Sequence, residues 1–483
     1  MPYQKHFAQS PAEWALYDVV VDSQGDGDFL TIGEALSAAP DDDSNYVIYL
    51  RSGIYSERLN ITRPNVHLIG EQQQNTIIVG SCANGMLRHD GKIPGTYGSR
   101  TVNIDACGFS ATSLTIKNAF DYEANFAKPA DDPSKLTHTQ AVALLIGEHG
   151  DKAQFKHVTL DSYHDTLYVS AGRSYFEQCT IMGTVDFIFG GGTALFWDCD
   201  IIARHRIGTT SAEPMGYVAA PCTAITQKFG LVFQHCRLTK EANVPANSYA
   251  LGRPWHPTTQ FDDGFYADPN TIGHCAYIDC EFDSHIAKWD KMSGRDIDGN
   301  PQWFYPHESR FIEANNQQHN TQRLVDEPYQ ISAKEVSEYT LAKIFSDWQP
   351  NLSIAQDLNI TLHVHQPLMR FPIQFTVLDR VGNRAYFCSD EKGKIAASLS
   401  GLTLPLIIEA YDRSQELTVH TFVAHQPQLG SSIELSLVTE VLTQQLLGGQ
   451  VDNILLHSTP PVISKSAWLQ AHHQTFHALR ELA

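Results

Sequence analysis

The sequence predicts an all-β protein whose larger part is a parallel β-solenoid, followed by a smaller β-rich unit. Three observations carry this. A short apolar pattern recurs at nearly constant spacing through residues 153–202. Strand-like runs bounded by Gly, Asn, Pro or Asp fill most of the first 340 residues. From about residue 351 the texture changes to apolar–polar alternation.

The repeat is the most specific of the three. Its first pass reads Phe155-x-x-Val158-x-Leu160, followed by His164, Asp165 and Tyr168. The second reads Phe176-x-x-Cys179-x-Ile181, followed by Val185, Asp186 and Phe189, and a third opens with Phe196-x-x-Cys199-x-Ile201. The anchors Val158, Cys179 and Cys199 lie 21 and then 20 residues apart. If each pass is one coil, equivalent positions stack on neighbouring strands about 4.8 Å apart. Asp165 and Asp186, also 21 residues apart, would then face each other.

Taken in order, residues 17–36 read as a strand, a Gly/Asp loop and a short helix suited to capping the open end of a solenoid. Short β-rich runs follow at 46–50, 59–61, 66–69 and 76–79. Such runs fit a sandwich, a barrel or a solenoid, and the repeat selects the solenoid. Phe109-x-x-Thr112-x-Leu114 fits the template upstream; Phe233-x-x-Cys236-x-Leu238 and Tyr277-x-x-Cys280-x-Phe282 fit it downstream, with loops inserted between them. The expected hand is right, as for parallel connections generally. Residues 286–348 read as a closing segment, with helical spacing over 336–345 and a boundary at Asp347-Trp348-Gln349-Pro350. Beyond it, 360–364, 373–377 and 417–419 alternate as half-buried antiparallel strands, with a turn at 379–383. Residues 436–447 and 468–482 carry amphipathic helical spacing. The expected domains are therefore a parallel β-helix over 1–349 and a β-sandwich-like accessory domain with terminal helices over 350–483.

Charge narrows the partners. With 34 basic against 54 acidic residues, the net charge of −20 argues against nucleic acid or an anionic membrane surface. The amino terminus leads into no apolar run, so no signal peptide is visible, and no stretch is long enough to span a bilayer. Nine cysteines leave at least one outside any internal pairing. Cys179 and Cys199 fall within disulfide range if their coils stack; they make either a bridge, implying an oxidising compartment, or two buried thiols.

Two stacked carboxyls push one pKa up and leave the other ionised, which yields a proton donor and a nucleophile or base from one residue type. An exposed acidic edge is the bland alternative, and several acid-pair chemistries use such a pair. The flanking blocks say more. Gly183-Thr184-Val185-Asp186-Phe187-Ile188-Phe189-Gly190, Asp165-Thr166-Leu167-Tyr168 and Leu251-Gly252-Arg253-Pro254-Trp255 together resemble the pectin methylesterase family. So do Gln140-Ala141-Val142-Ala143-Leu144 and Gly53-Ile54-Tyr55-Ser56-Glu57-Arg58. Trp255-His256-Pro257-Thr258-Thr259 and Trp289-Asp290-Lys291-Met292-Ser293-Gly294 point to its bacterial plant-pathogen type. The resemblance covers residues 15–349 with the blocks in order.

It implies a right-handed parallel β-helix and hydrolysis of pectin methyl esters. Asp186 would be the nucleophile, Asp165 the general acid and then base, Arg253 the partner that orients Asp186, and Gln140 an oxyanion donor. Tyr168, Phe189, Arg206, Tyr217, Trp255, Thr258 and Met292 match positions of the sugar cleft. No metal or cofactor is expected; pectin or methylated oligogalacturonides are the expected partners, of a monomer that is secreted or held in the cell envelope. One departure stands out: the family usually has Gln immediately before the first aspartate, and here it is His164. A histidine can donate the same hydrogen bond and titrates near pH 6.5 when unperturbed. His164→Gln is thus expected to retain activity with an altered pH profile. The competing functions are a β-helix pectin depolymerase, an acyl thioesterase and a non-catalytic polysaccharide-binding envelope protein.

Overall fold

The computed structural model describes residues 18–348 and 350, apart from 44–45, 89–90, 211–212 and 320–328, together with the backbone of eight strands between 359 and 456. Residues 21–45 and 50–350 belong to one compact unit and the strands beyond 351 to another.

The first unit is a right-handed parallel β-helix. Leu59–Ile61, Val102–Ile104, Leu144–Ile146, Leu167–Val169, Ile188–Gly190, Gly216–Pro221 and Tyr249–Gly252 stack in sequence order as a seven-stranded parallel sheet. The other coil strands merge into a seventeen-stranded sheet that bends at one corner of every coil. Ser113, His157, Gln178, Asp198, His235, Asp279 and Asn315 turn that corner with left-handed backbone, φ 51–55°. Such φ values are uncommon outside glycine, so their recurrence once per coil makes them a built part of the turn.

The repeat is visible in the core. Phe155, Phe176, Phe196, Phe233 and Tyr277 hold successive register positions on parallel strands. All five are buried, and their rings stack with centroids 4.6, 4.9, 4.5 and 4.5 Å apart. Burying each contributes about 1.5–3 kcal/mol, and each ring pair somewhat more. Upstream, the expected alignment is corrected by two residues. Phe155 and Val158 pair with Ala111 and Leu114, not with Phe109 and Thr112. A shift of two keeps every side chain on its own face. Phe109 therefore stays buried and packs against Phe155 at 5.7 Å, filling space that Ala111 leaves.

Of the two readings of Cys179 and Cys199, the structure has the thiols: both are free and buried, and no bridge joins them. The Sγ of Cys199 lies 3.4 Å from the Cys179 amide, a hydrogen-bond contact in place of an S–S bond. Each turns to backbone instead. The Sγ of Cys179 lies 3.4 Å from the Glu177 carbonyl, that of Cys199 3.4 Å from the Phe176 carbonyl, and that of Cys236 3.3 Å from the Phe196 carbonyl.

At the amino-terminal side the expected helix forms at Ile32–Ser37, opened by a Thr31/Glu34 capping box and burying Ile32 and Ala35. Glu57 accepts from the amides of Ile32 and Gly33, both at 2.8 Å, and clamps the helix to the next coil. Near the carboxy-terminal end of this unit, the single helical run expected over 336–345 is two short helices, Ala333–Val336 and Leu341–Phe345. The break lets Tyr339 turn inward against Phe229 and His274. Tyr339, Ile344 and Phe345 pack on Tyr175, Leu195, Val232 and Ala276. Those residues alternate with the inward rings, so this segment covers the outer face of the sheet. Arg173 fastens it through Asp347 at 2.5 Å.

In the second unit, Arg384–Cys388, Gln374–Asp379, Leu406–Asp412, Leu417–Val423 and Ile454–Leu456 form a five-stranded antiparallel sheet. Of the turn expected at 379–383, Asp379 ends a strand and 380–383 lie outside the described residues. In a second, three-stranded sheet, Asn359–His365 pairs antiparallel with Lys394–Ser398 and parallel with Ser432–Ser436. Ser436 ends a strand; the rest of the helical run expected at 436–447, and that at 468–482, lie outside the described residues. No helix among the described residues is long and apolar enough to cross a membrane.

Candidate active site

The seven-stranded sheet delivers the site one coil at a time. Asp165 lies two residues before Leu167–Val169, Asp186 two before Ile188–Gly190, and Arg253 directly follows Tyr249–Gly252. Hydrogen bonds between coils fix their heights: Ala141 N to His164 O at 2.9 Å, Asp165 N to Val185 O at 3.1 Å, and Arg253 N to Ala219 O at 2.9 Å. The threonine of each aspartate motif ties the two corners together. Thr166 Oγ1 donates to the Met182 carbonyl at 2.8 Å, and Thr184 Oγ1 to that of Tyr163 at 2.5 Å. Gly190, with φ 126°, turns against Val169; a Cβ there would sit 1.9 Å from the Val169 carbonyl oxygen.

Both aspartates adopt left-handed backbone, φ 62° for Asp165 and 48° for Asp186, and both are buried. Asp residues tolerate this region, and strained backbone of this kind clusters at functional sites. Arg253 forks onto Asp186, Nε to Oδ1 at 2.8 Å and Nη2 to Oδ2 at 2.6 Å. The guanidinium lies 3.8 Å above the Tyr217 ring, which holds the fork in plane. Burial pushes the Asp165 carboxyl well above the usual carboxylate range, and the charge of Asp186 adds to this while Arg253 opposes it. The stacked pair is therefore split chemically: one carboxyl holds a proton, and the other is gripped by a cation.

His164 stands beside the acid. Its Nε2 is 3.3 Å from Asp165 Oδ1 and its Nδ1 is 3.2 Å from Thr139 Oγ1. Burial drives its pKa down to about 4; Asp186 opposes that shift, while Arg253 and Arg206 reinforce it. The expected titration near neutral pH is thereby corrected, because desolvation outweighs the neighbouring carboxylate. Gln140 faces the same space with an amide oxygen that is buried and without a hydrogen-bond partner among the described residues.

These groups line a cleft of about 460 Å³. Its walls bring together Gln140, His164, Asp165, Asp186 and Arg253 with Tyr168, Phe189, Trp255 and Met292, as expected from sequence. Tyr168 stacks on Phe189 at 4.3 Å, and Trp255 meets both edge-on. The three other expected cleft residues stand behind or beside this lining. Tyr217 sits beneath Arg253, Thr258 begins an exposed hairpin strand, and Arg206 is tied to Thr209 at 3.1 Å. Thr96, Tyr97, Val185 and Ala220 also line the cleft. Of these, Val185 belongs to the repeat, and Ala220 pairs in register with Phe189 only across an inserted loop; Thr96 and Tyr97 sit on the one-turn helix Gly95–Gly98, too short to show a helical period in the sequence.

A split carboxyl pair, an arginine fork and an uncommitted amide, set in an aromatic groove of a parallel β-helix, define a carbohydrate-active acyl hydrolase. The comparisons with known proteins agree. The Pectinesterase family model matches residues 18–261. The chain is 49% identical over 346 residues to pectinesterase A of Dickeya dadantii (strain 3937), covering 71% of this chain and 94% of that protein. Among solved structures it is similar to a pectin methylesterase crystallised with a hexasaccharide (49% identity, TM-score 0.68, 70% of this chain and 99% of that one). The pectin methylesterase of Yersinia enterocolitica gives 50% identity and a TM-score of 0.65 over 66% of this chain and 99% of its own. The chain belongs to the pectinesterase family. Its activity is that of a carboxylic ester hydrolase removing methyl esters from pectin, and the depolymerase, thioesterase and non-catalytic readings are not favoured.

Proposed function

We propose that the reaction runs through an aspartyl acyl-enzyme. Asp186 attacks the methyl-ester carbonyl of a galacturonate unit and forms a C–O bond to the acyl carbon. Gln140 donates its amide N–H to the tetrahedral oxyanion. Asp165 gives its proton to the departing methoxide as methanol leaves. It then takes a proton from water, whose oxygen attacks the acyl carbon and releases Asp186 as the carboxylate. Arg253 holds Asp186 in one orientation throughout. The observation that carries this assignment is the bidentate Arg253–Asp186 pair beside a neighbouring carboxyl held protonated by burial. His164 serves as a neutral neighbour of Asp165, able to donate from Nε2 when Thr139 donates to Nδ1.

Pectin or methylated oligogalacturonides are the substrate. The hexasaccharide bound in the similar pectin methylesterase supports this. The enzyme acts as a monomer. A cell-wall polymer is met outside the cell, so the enzyme works secreted or at the envelope. Residues 350–483 act as an accessory domain to the catalytic portion, 1–349. The test is methanol release from highly methylated pectin by Asp186→Asn and Asp165→Asn. Loss in Asp186→Asn with retained circular dichroism is expected; methanol still formed by that variant would remove Asp186 as nucleophile.

A further inference from the structure

We propose that Thr139 is a positioning residue for the esterase reaction: its hydroxyl holds the His164 imidazole in the tautomer that carries the proton on Nε2, so that the ring presents an N–H beside the general acid. The proposal rests on the esterase reading above and gives a task to a residue that is not itself part of the cleft lining. An arginine or an amide has donors fixed by its covalent structure. A neutral imidazole has one donor and one acceptor, and either nitrogen can take either part. The bond made by one nitrogen therefore decides what the other can offer.

The backbone around Thr139 is held on both sides. Gly85 N donates to the His138 carbonyl at 2.9 Å, Asn84 N to that of Gln140 at 2.8 Å, and Ala141 N to that of His164 at 2.9 Å. These bonds bracket position 139 and set its Oγ1 3.2 Å from His164 Nδ1. Among the described residues that hydroxyl has no second partner, so Nδ1 is the acceptor its proton reaches. Nδ1 then carries the lone pair. The ring is neutral, because burial drives its pKa down to about 4, and its one proton lies on Nε2. His164 lines the cleft, with Nε2 3.3 Å from Asp165 Oδ1. The opposite tautomer would turn a lone pair toward a carboxyl that burial keeps protonated, offering an acceptor for the proton that methanol must receive. The Nε2–H tautomer leaves that proton to the leaving group and adds a donor where negative charge develops.

The test combines methanol release from highly methylated pectin with heteronuclear NMR of the histidine rings, both on the full chain, the His164 signals being identified by their loss in His164→Gln. Thr139→Val keeps the shape and removes the hydroxyl. It should lower kcat about tenfold, the value of one hydrogen bond to a charged group, and turn the Nε2–H signature of His164 into a mixture of tautomers. Thr139→Ser restores the hydroxyl and should recover both readouts, which a packing defect at position 139 would not allow. Combined with His164→Gln, Thr139→Val should change kcat by less than about twofold further, because an amide donor has no tautomer to select. An Nδ1–H signature in the unmodified enzyme, or a tenfold loss that persists alongside His164→Gln, would overturn the proposal. Failure of the esterase reading would instead appear as no methanol from the unmodified enzyme, with the His164 tautomer still readable.

Discussion

Two corners of the same coils put the same geometry to opposite uses. At the sheet corner, the solenoid stacks Cys179, Cys199, Cys236 and Cys280, neutral groups buried beside the ladder of aromatic rings. Stacking them costs no electrostatic energy, and the row continues. At the cleft corner it stacks Asp165 on Asp186, and burial makes that repetition expensive unless one carboxyl stays protonated and the other is paired. The charged row stops at two, and Arg253 arrives from a later coil to grip the second member. A repeat thus propagates what is neutral at low cost, while chemistry enters where the repeat is made unfavourable.

The comparison can be broken at the charged corner first. Asp186→Asn should lower methanol release by about 10⁴-fold, with unchanged circular dichroism. Arg253→Met should come close to that and also lower the melting temperature, because it leaves a buried carboxylate without its partner. At the neutral corner the sign reverses. Phe196→Ala should cost about 3–5 kcal/mol of stability, read from urea unfolding, yet leave the turnover of the folded fraction near the parent's.

The pH dependence sharpens the contrast further. Burial lowers the pKa of His274 to about 3 and of His285 to about 4. Nδ1 of His274 accepts from the Gly230 amide at 3.1 Å, and the ring nitrogens of His285 are buried with no hydrogen-bond partner among the described residues. The unfolded chain therefore binds more protons than the native one below about pH 6.5. Stability from these residues is complete above that pH and falls, by a few kcal/mol in order of magnitude, as the pH drops toward 4. A melting temperature that held constant from pH 7 to 4.5 would contradict this. At the cleft, His164→Gln should change kcat by less than about tenfold, since glutamine can donate as imidazole does. It should leave the profile above pH 5 unmoved; a shifted limb near pH 6.5 would restore a titrating histidine. The smallest effect is expected from reductant: the eight described cysteines form no bridge, so dithiothreitol should leave the melting temperature unchanged.

Much of this contrast was legible in the chain. Spacings of 21 and 20 residues announced both rows, because a solenoid converts sequence period directly into contact. The family blocks then assigned Asp165, Asp186, Arg253 and Gln140 to one place, and the structure brings them together. Register failed where a small residue replaced a large one: Ala111 occupies the place of a phenylalanine, and the neighbouring Phe109 imitates the pattern two residues early. The cysteines stay ambiguous in the sequence because spacing specifies separation and not direction. His164 was found as an irregular neighbour, but its desolvation is a property of the assembled cleft that no local pattern encodes. Thr96 and Tyr97 leave no sequence signal because a single helical turn, Gly95–Gly98, is too short to carry a period.

The left-handed backbone at Asp165 and Asp186 also constrains how this enzyme can change through descent. At such φ angles glycine, asparagine and aspartate carry the least strain, although the sheet corner of this fold also seats serine, histidine and glutamine there. Of glycine, asparagine and aspartate, only the last carries an ionisable group. Divergence at either position therefore favours an intact fold with a silenced centre, a single nucleotide change from aspartate to asparagine or glycine. Descendants that keep the shape while abandoning catalysis should be recognisable by those two letters.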